Sequence, residues 1–445
     1  MEFYEQLMQT AIFVAQIFIN FEDIVMVAHN FIPYVLFIEL PFYIFVIFGI
    51  LRYYTRTSFS EQREILYYPK VSCVLLCYAE GEDVVRSVKS LTEQIYPGQI
   101  EIIAVVDGAV QNKCTYDVLQ RLKPYVGQFN DRNFRVIPKW KRGGRVSSIN
   151  TGMNLATGEV LMILDGDTSF DNNMVKVSSR HFADKNVVAV SGNLRVRNFG
   201  ESLIAKLQAL EYMISIQSCR VGLDEYNAVN NVSGAFGIFR RSFVKKIYGW
   251  DSGTAEDLDL TFRIKQYFGK HKNLKIKFEK DAIGHTDAPA TVKQLMDQRL
   301  RWDGDLYWLY FRKHQPGFSP NLLGWVNYIS IIWYGILFQI VMPFMIISYT
   351  IYSTFTQPGY FTTGILIVVY LFYLSLAVVF FLISVCLLSE RKKEDVKKCW
   401  LIPIFPVYML CIRLWAAVAT VTEILLYSNK TSSMAPYWVL KRIKF

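Results

Sequence analysis

Between Lys313 and Glu390 the chain contains no Asp, Glu, Lys or Arg. About 20 apolar residues suffice to cross the hydrocarbon core of a bilayer, so this stretch has room for more than one crossing. It is interrupted at Ser353-Thr354-Phe355-Thr356-Gln357-Pro358-Gly359, a polar segment with the Pro-Gly chemistry of a turn. The pattern predicts two antiparallel spans, residues 322–352 and 363–388, joined on the outer side. A buried hairpin of a soluble protein is the competing explanation, but core helices rarely run this far without a charge.

The next segment, Glu390-Arg391-Lys392-Lys393-Glu394-Asp395-Val396-Lys397-Lys398, has the basic excess of loops kept in the cytoplasm. Residues 400–427 form another apolar run, which carries Arg413, Glu423, Pro403 and Pro406. A single crossing there leaves the basic tail Lys441-Arg442-Ile443-Lys444 outside, against the same rule. A bent or re-entrant path, or an extra crossing near the tail, would satisfy it, and the sequence leaves these alternatives open. Near the start, residues 24–51 read as a span followed by Arg52, Arg56 and Arg63. It encloses Glu39, and a carboxylate at such depth is costly unless it faces protein or water. Residues 4–21 are apolar but short, which suits an interfacial helix or a weaker second span. No basic leader with a small-residue cleavage site marks a signal peptide.

Over 445 residues, hydrophobic types make up 52% and charged types 19%, the latter below the ~25% of an ordinary soluble domain. Disordered, collagen-like and disulfide-scaffold classes are excluded. The net charge of +10 alone suits nucleic acid or anionic lipid, and the placement of the apolar runs selects lipid. Seven cysteines (Cys73, Cys77, Cys114, Cys219, Cys386, Cys399, Cys411) include no CxxC pair and read as buried thiols of a reducing compartment.

Residues 66–290 have soluble composition and alternate short β-rich runs with helical periodicity. Strand-like runs at 71–78, 100–106, 134–138 and 160–164 argue for an α/β layered domain with a mainly parallel sheet. In such sheets ligands bind beyond the carboxyl ends of the strands, and Glu80, Asp107, Asp165 and Asp167 fall there. A strand-end Asp also serves simply to cap a helix or turn. In Asp165-Gly166-Asp167, however, two carboxylates one residue apart repel each other, and a divalent cation turns that repulsion into coordination. No Walker or dinucleotide glycine loop is present. Further on, Glu256-Asp257 precedes a helix-like run, and Gln298-Arg299-Leu300-Arg301-Trp302 lies on an amphipathic run, 292–311, ahead of the membrane hairpin. Alone, that run suits a snorkelling surface helix. With both acid pairs upstream it suits an arginine clamp for diphosphate and an aromatic platform for a sugar ring.

The order of an acid after the first strand, an Asp after the next, DxD, an E-D pair and QxxRW resembles the inverting family 2 glycosyltransferases. The likeness is to the membrane-embedded processive synthases of cellulose, chitin, hyaluronan and poly-N-acetylglucosamine, over about residues 68–302. It implies an α/β, GT-A-type cytoplasmic domain inserted between N-terminal and C-terminal transmembrane helices, with amphipathic interface helices. The implied boundaries are 1–58 for the N-terminal interfacial and transmembrane segment, 59–290 for the catalytic domain, 291–320 for the interface helix and 321–445 for the C-terminal membrane region.

The resemblance puts Tyr78 and Glu80 beside the nucleotide base and Asp107 on the uracil. Asp165 and Asp167 meet the ribose-diphosphate and an Mn2+ or Mg2+ ion, Asp167 more directly. Asp257, next to Glu256, is the general base. Arg301, with Arg299 nearby, holds the diphosphate, and Trp302 stacks the acceptor sugar beside Gln298. Ser233 and Gly234 line the acceptor site. Three positions depart from the family pattern: Ala79 stands where Asn is usual, Ala255 where Thr is frequent, and Arg145 where Lys commonly meets the donor phosphates.

The implied activity is processive β-polymerisation of a UDP-sugar, best UDP-N-acetylglucosamine, at the plasma (inner) membrane, with secretion through the enzyme's own membrane region. Aromatics such as Trp325, Tyr328, Trp333, Tyr334 and Tyr408 are channel-lining candidates. Partners are the UDP-sugar, the growing polysaccharide, the bilayer and an accessory membrane or export subunit, with no nucleic acid. The tail is too short for a cyclic-dinucleotide sensor. A non-processive transferase acting on a lipid, a polymerase using UDP-glucose, and a membrane subunit that only binds nucleotide-sugar stay open as alternatives.

Overall fold

The computed structural model describes residues 2–19, 35–59 and 65–427. The expected start of the first span at residue 24 and the basic tail at 441–444 lie outside them. The middle of the chain forms an eight-stranded sheet in the order β3-β2-β1-β4-β7-β6-β8-β5. The strands are β1 Val71–Cys77, β2 Ile100–Asp107, β3 Arg132–Lys139, β4 Val160–Asp165, β5 Ser169–Phe170, β6 Val187–Val196, β7 Phe236–Arg240 and β8 Lys275–Thr286.

The four strands expected from sequence are the parallel half. The sheet is mainly parallel, as expected, and β6 also runs parallel to β8, but β7 enters antiparallel to β4 and β6, and β5 is antiparallel to β8. The β1 run is buried on both faces, as parallel strands covered by helices must be. Cys73, Leu75 and Cys77 enter one core, and Val74 and Leu76 enter the other. That second core continues into Phe42, Val46 and Ile50 of the helix Leu40–Phe59, so the sheet shares its hydrophobic layer with the N-terminal membrane segment. A Cβ on Gly49 would lie 2.2 Å from the Gly222 carbonyl oxygen, so the two backbones touch where this helix crosses Cys219–Asp224. Two glycines permit that approach.

Among the described residues four helices are long and apolar enough to cross a membrane: Phe37–Phe59, Trp325–Thr356, Gly359–Leu388 and Phe405–Leu426. The expected hairpin is present, but its outer turn is shorter than the polar segment suggested. The helix continues to Thr356, because the Thr350 and Thr354 hydroxyls bond back to carbonyls four residues earlier and remove their own cost. After Trp400 the chain finishes a 3-10 segment at Leu401, passes Pro403 in a turn and forms the helix Phe405–Leu426, with Pro406 in its first turn, where a missing N–H costs nothing. The short helix Glu2–Ile19 lies along Gly359–Ile383, with Phe13 against Gly364 and Ile17 in a cluster with Val368. Intramembrane Glu39 is fully buried. It pairs with Arg413 and accepts the Tyr373 hydroxyl at 2.9 Å.

Cys73, Cys77 and Cys219 are buried, but Cys114, Cys386, Cys399 and Cys411 are exposed and all seven are free. Buried thiols therefore describe only the α/β core.

Candidate active site

The loop after β4 carries Asp165-Gly166-Asp167. Gly166 N–H donates to the Leu76 carbonyl at 2.9 Å, which pins the loop to the end of β1. A Cβ there would lie 2.7 Å from that carbonyl oxygen and 3.0 Å from the Glu80 carboxyl carbon, so only glycine fits between the two acids. Loss of surrounding water raises the Asp167 pKa even though the residue is accessible, and Asp165 raises it further. Burial pushes Glu80 up to about 7, against the Tyr78 N–H bond and with help from Asp167 and Asp165. The Glu80 Oε2 is buried without a hydrogen-bond partner. Crowded hard carboxylates with an orphan oxygen beside them fit a divalent cation. No group of three or more His, Cys, Asp or Glu that could hold a metal occurs among the described residues. Phosphate and water oxygens would therefore complete the shell.

Arg145, in the first turn of the helix Gly144–Leu155, joins the two acid pairs. It donates to Asp165 and Glu256, each at 2.5 Å, and to the Gly234 carbonyl at 2.8 Å. Burial raises the Glu256 pKa, and Arg145 opposes that shift. Asp257 opens the helix Glu256–Lys265, whose N-terminal dipole favours an anion. Its Oδ2 accepts from Asn231 Nδ2 and Gly234 N–H, both at 3.0 Å, and its Oδ1 from Leu258 N–H at 2.8 Å. Ala255, just before the pair, sits at φ 45°, and Ala79 at φ 65°. Two of the three departures from the expected pattern therefore occupy left-handed backbone, and at residue 79 the usual Asn would tolerate it better than Ala.

The helix Val292–Tyr307 starts at a capping box in which Thr291 and Gln294 satisfy each other's backbone N–H groups. At helical spacing, Gln298, Arg299 and Trp302 share one face. Gln298 accepts from Gln208 at 2.7 Å, while Trp302 is 42% exposed. Arg299 has another partner than the expected diphosphate: it is buried and donates to both Glu211 oxygens, at 2.7 and 2.6 Å. Tyr408 of the last membrane helix donates to the same carboxylate at 2.8 Å. Arg301 faces the opening that Trp302 lines.

One cavity of about 1210 Å³ takes in Asp165, Asp167, Arg145, Ser233, Gly234, Glu256, Asp257, Gln298, Arg299, Arg301 and Trp302. It continues between the membrane helices past Phe338, Tyr349 and Tyr370. Of the expected channel aromatics only Tyr334 lines it; Trp333 instead donates to the Ile38 carbonyl and Tyr408 to Glu211. Tyr78, Glu80 and Asp107 lie off this cavity. Asp107 is committed to Lys139 at 2.8 Å and to the N–H groups of Gly143 and Gly144 at 2.8 and 2.9 Å. The Tyr78 ring is covered by the Arg142 guanidinium at 3.5 Å. Glu211, Asn231 and Asp303 are site neighbours that carry no motif, and nothing in their local sequence marks them.

Residues 69–304 match the model of the family described as glycosyltransferase like family 2. A poly-beta-1,6-N-acetyl-D-glucosamine synthase of Staphylococcus epidermidis is 29% identical over 234 residues, which is 52% of this chain and 53% of the relative. Its namesake from Staphylococcus aureus strain COL is 27% identical over the same shares. The chain thus aligns with about half the length of these curated relatives. Among solved structures, a mannosyltransferase of Pyrobaculum calidifontis in complex with GDP-Man and Mn2+ superposes with a TM-score of 0.52 at 15% identity. That match covers 85% of this chain and 96% of the other, and the shared α/β fold is GT-A-like. The family match begins ahead of β1, leaves out no strand and runs past Trp302, and on that footing the protein belongs to the glycosyltransferase-like family 2.

Proposed function

We propose that the chain is an inverting, processive β-glycosyltransferase that polymerises a UDP-sugar, with UDP-N-acetylglucosamine as donor, and passes the product between its membrane helices. The observation that carries this reading is the continuous cavity: it has both acid pairs and Trp302 at one end and membrane-helix aromatics at the other. The names of the staphylococcal relatives support N-acetylglucosamine as the sugar.

In this reading Asp257 takes the proton of the acceptor hydroxyl as that oxygen attacks the anomeric carbon. Its three hydrogen bonds fix the carboxylate before substrate arrives. Trp302 holds the face of the acceptor sugar, and Arg301 neutralises the departing diphosphate. Arg145 keeps Glu256 and Asp165 in register and adds positive charge beside the donor phosphates. A divalent cation, Mn2+ or Mg2+, held by Asp165 and Asp167 would add Lewis-acid stabilisation of the leaving group. One in-line displacement inverts an α-linked donor to a β-linkage. Arg391 and Asp395 of the basic loop bond to Asp171 and Arg195 of the α/β domain. Loop and domain therefore share one side of the bilayer, which supports a cytoplasmic catalytic face at the inner membrane. An accessory export subunit belongs to the same reading.

The test is UDP release by the purified full chain with Mn2+ or Mg2+ across a panel of UDP-sugars, followed by product sizing. Asp257→Asn is expected to lower turnover by roughly 10²–10⁴-fold with UDP affinity retained. Unchanged polymer output would remove Asp257 as the base. A product that partitions into organic solvent would replace the polymer with a lipid acceptor.

A further inference from the structure

Three buried polar atoms lack partners within one small region beside Trp302: Asp303 Oδ2, Arg299 Nε and Gln208 Oε1. The first two belong to residues that line the cavity. Gln208 is fully buried, donates its Nε2 to Gln298 Oε1 at 2.7 Å and does not itself line the cavity. Leaving a buried donor or acceptor unmade costs about 1–3 kcal/mol each, and the two on cavity-lining residues are placed to be satisfied by something that binds there. The usual structural alternative, an internal salt bridge, is already complete: both Glu211 oxygens are taken by Arg299 Nη2, with Tyr408 on Oε2. Asp303 is one turn beyond Arg299 and adjacent to Trp302, so it shares the face that looks into the cavity. The cation beside it, Arg299, is committed to Glu211 through its Nη2.

The chemistry of the unused atoms defines the ligand. One acceptor, Asp303 Oδ2, and one donor, Arg299 Nε, belong to cavity-lining residues beside an aromatic ring that is 42% exposed. A pyranose presents the complementary pattern, with an apolar C–H face for the ring and a rim of hydroxyls that donate to the carboxyl and accept from the guanidinium. Burial pushes Asp303 up to about 7, eased by Arg299 and aggravated by Glu211, so the carboxyl is poorly satisfied without a donor supplied from outside.

We propose that Asp303, with Arg299 Nε, forms an acceptor-sugar subsite that hydrogen-bonds the rim of the residue whose face lies on Trp302. Asp303 is its specificity-determining member. This rests on the glycosyltransferase reading and adds to it a residue outside the QxxRW motif that recognises the acceptor without touching the donor.

The test uses the full-length protein in detergent, with a β-linked N-acetylglucosamine trisaccharide as probe and UDP present. Trisaccharide binding is measured by calorimetry, and transfer by UDP release at varied trisaccharide concentration. Loss of one charged hydrogen bond predicts about tenfold weaker trisaccharide binding and a matching rise in acceptor KM for Asp303→Ala. UDP affinity and donor KM should stay within about twofold. Asp303→Glu should recover part of the acceptor affinity, which a merely structural residue would not do. Retained UDP affinity also reports that each variant is folded. Equal trisaccharide binding in wild type and Asp303→Ala overturns the subsite, as does a loss of donor and acceptor affinity together. Wild-type protein that releases UDP from no UDP-sugar counts against the function proposed above, and the calorimetric arm still decides the subsite.

Discussion

Glu211 and Arg299 form the joint between the interface helix, the helix Leu203–Glu211 and the last membrane helix, and breaking it should be measurable. Both side chains are 8% exposed, with Nη2 2.6 Å from Oε2 at the closest contact. Glu211→Gln leaves the arginine cation buried without its hydrogen-bonded anion, with the Asp303 carboxyl as its remaining acidic neighbour. Removing one partner of a buried pair typically costs about 3–5 kcal/mol, far more than the pair contributes when complete. At about 2–4 °C per kcal/mol for domains of this class, thermal melting of the detergent-solubilised protein should fall by roughly 10 °C. A double variant, Glu211→Leu with Arg299→Met, removes both ions and replaces them with apolar groups of similar bulk, so it should melt well above either single variant. A Glu211→Gln protein that melts within about 2 °C of wild type refutes the reasoning. So does a double variant no better than the worse single one.

Two further perturbations follow from the fold. A Cβ on Gly222 would sit 2.5 Å from the Val46 carbonyl oxygen, so Gly222→Val should force the N-terminal helix off the α/β domain. Gel filtration should then show aggregated protein with little UDP binding, and a wild-type elution profile would show that the crossing tolerates the added bulk. Burial pushes Asp305 up to about 7 in spite of the Thr254 hydroxyl bond. An acid whose folded pKa is raised binds more protons folded than unfolded, so its contribution to stability falls as pH climbs from about 4 to 7 and is lost above that. The melting temperature of Asp305→Asn relative to wild type should therefore rise from pH 5 to pH 8, and a constant difference would refute that assignment.

Much of this architecture could be read from the chain. The runs at β1, β2, β3 and β4 are apolar enough to be recognised, and the acids that end them do reach the sheet's ligand edge. The charge-free stretch located two of the membrane helices to within a few residues. By contrast, β8 reads Lys-Ile-Lys-Phe-Glu-Lys-Asp-Ala-Ile-Gly-His-Thr, in which charges obscure the alternation, and the antiparallel insertion of β7 has no local signature. The site shows the same division. Asp165, Asp167, Asp257 and Trp302 announce themselves by spacing and line one cavity. The real partner of Arg299 is Glu211, 88 residues away, and such a distance is invisible to spacing. Asp107 fits a strand-end motif, yet its carboxylate is engaged by Lys139, Gly143 and Gly144. Where an acid falls was legible, and what it holds was not.

The buried pair of Glu39 and Arg413 has a bearing on how the molecule is made. The two residues are separated by 374 positions, so the first is threaded into the bilayer long before the second exists. Each is expensive alone; an arginine near the centre of a span costs about 2.5–3.5 kcal/mol on insertion scales. Until Arg413 is made, the Glu39 carboxyl has to be protonated or turned toward water, and the pair closes only when the helix Phe405–Leu426 packs against Phe37–Phe59. A truncation ahead of Phe405 would leave that acid without its counter-ion.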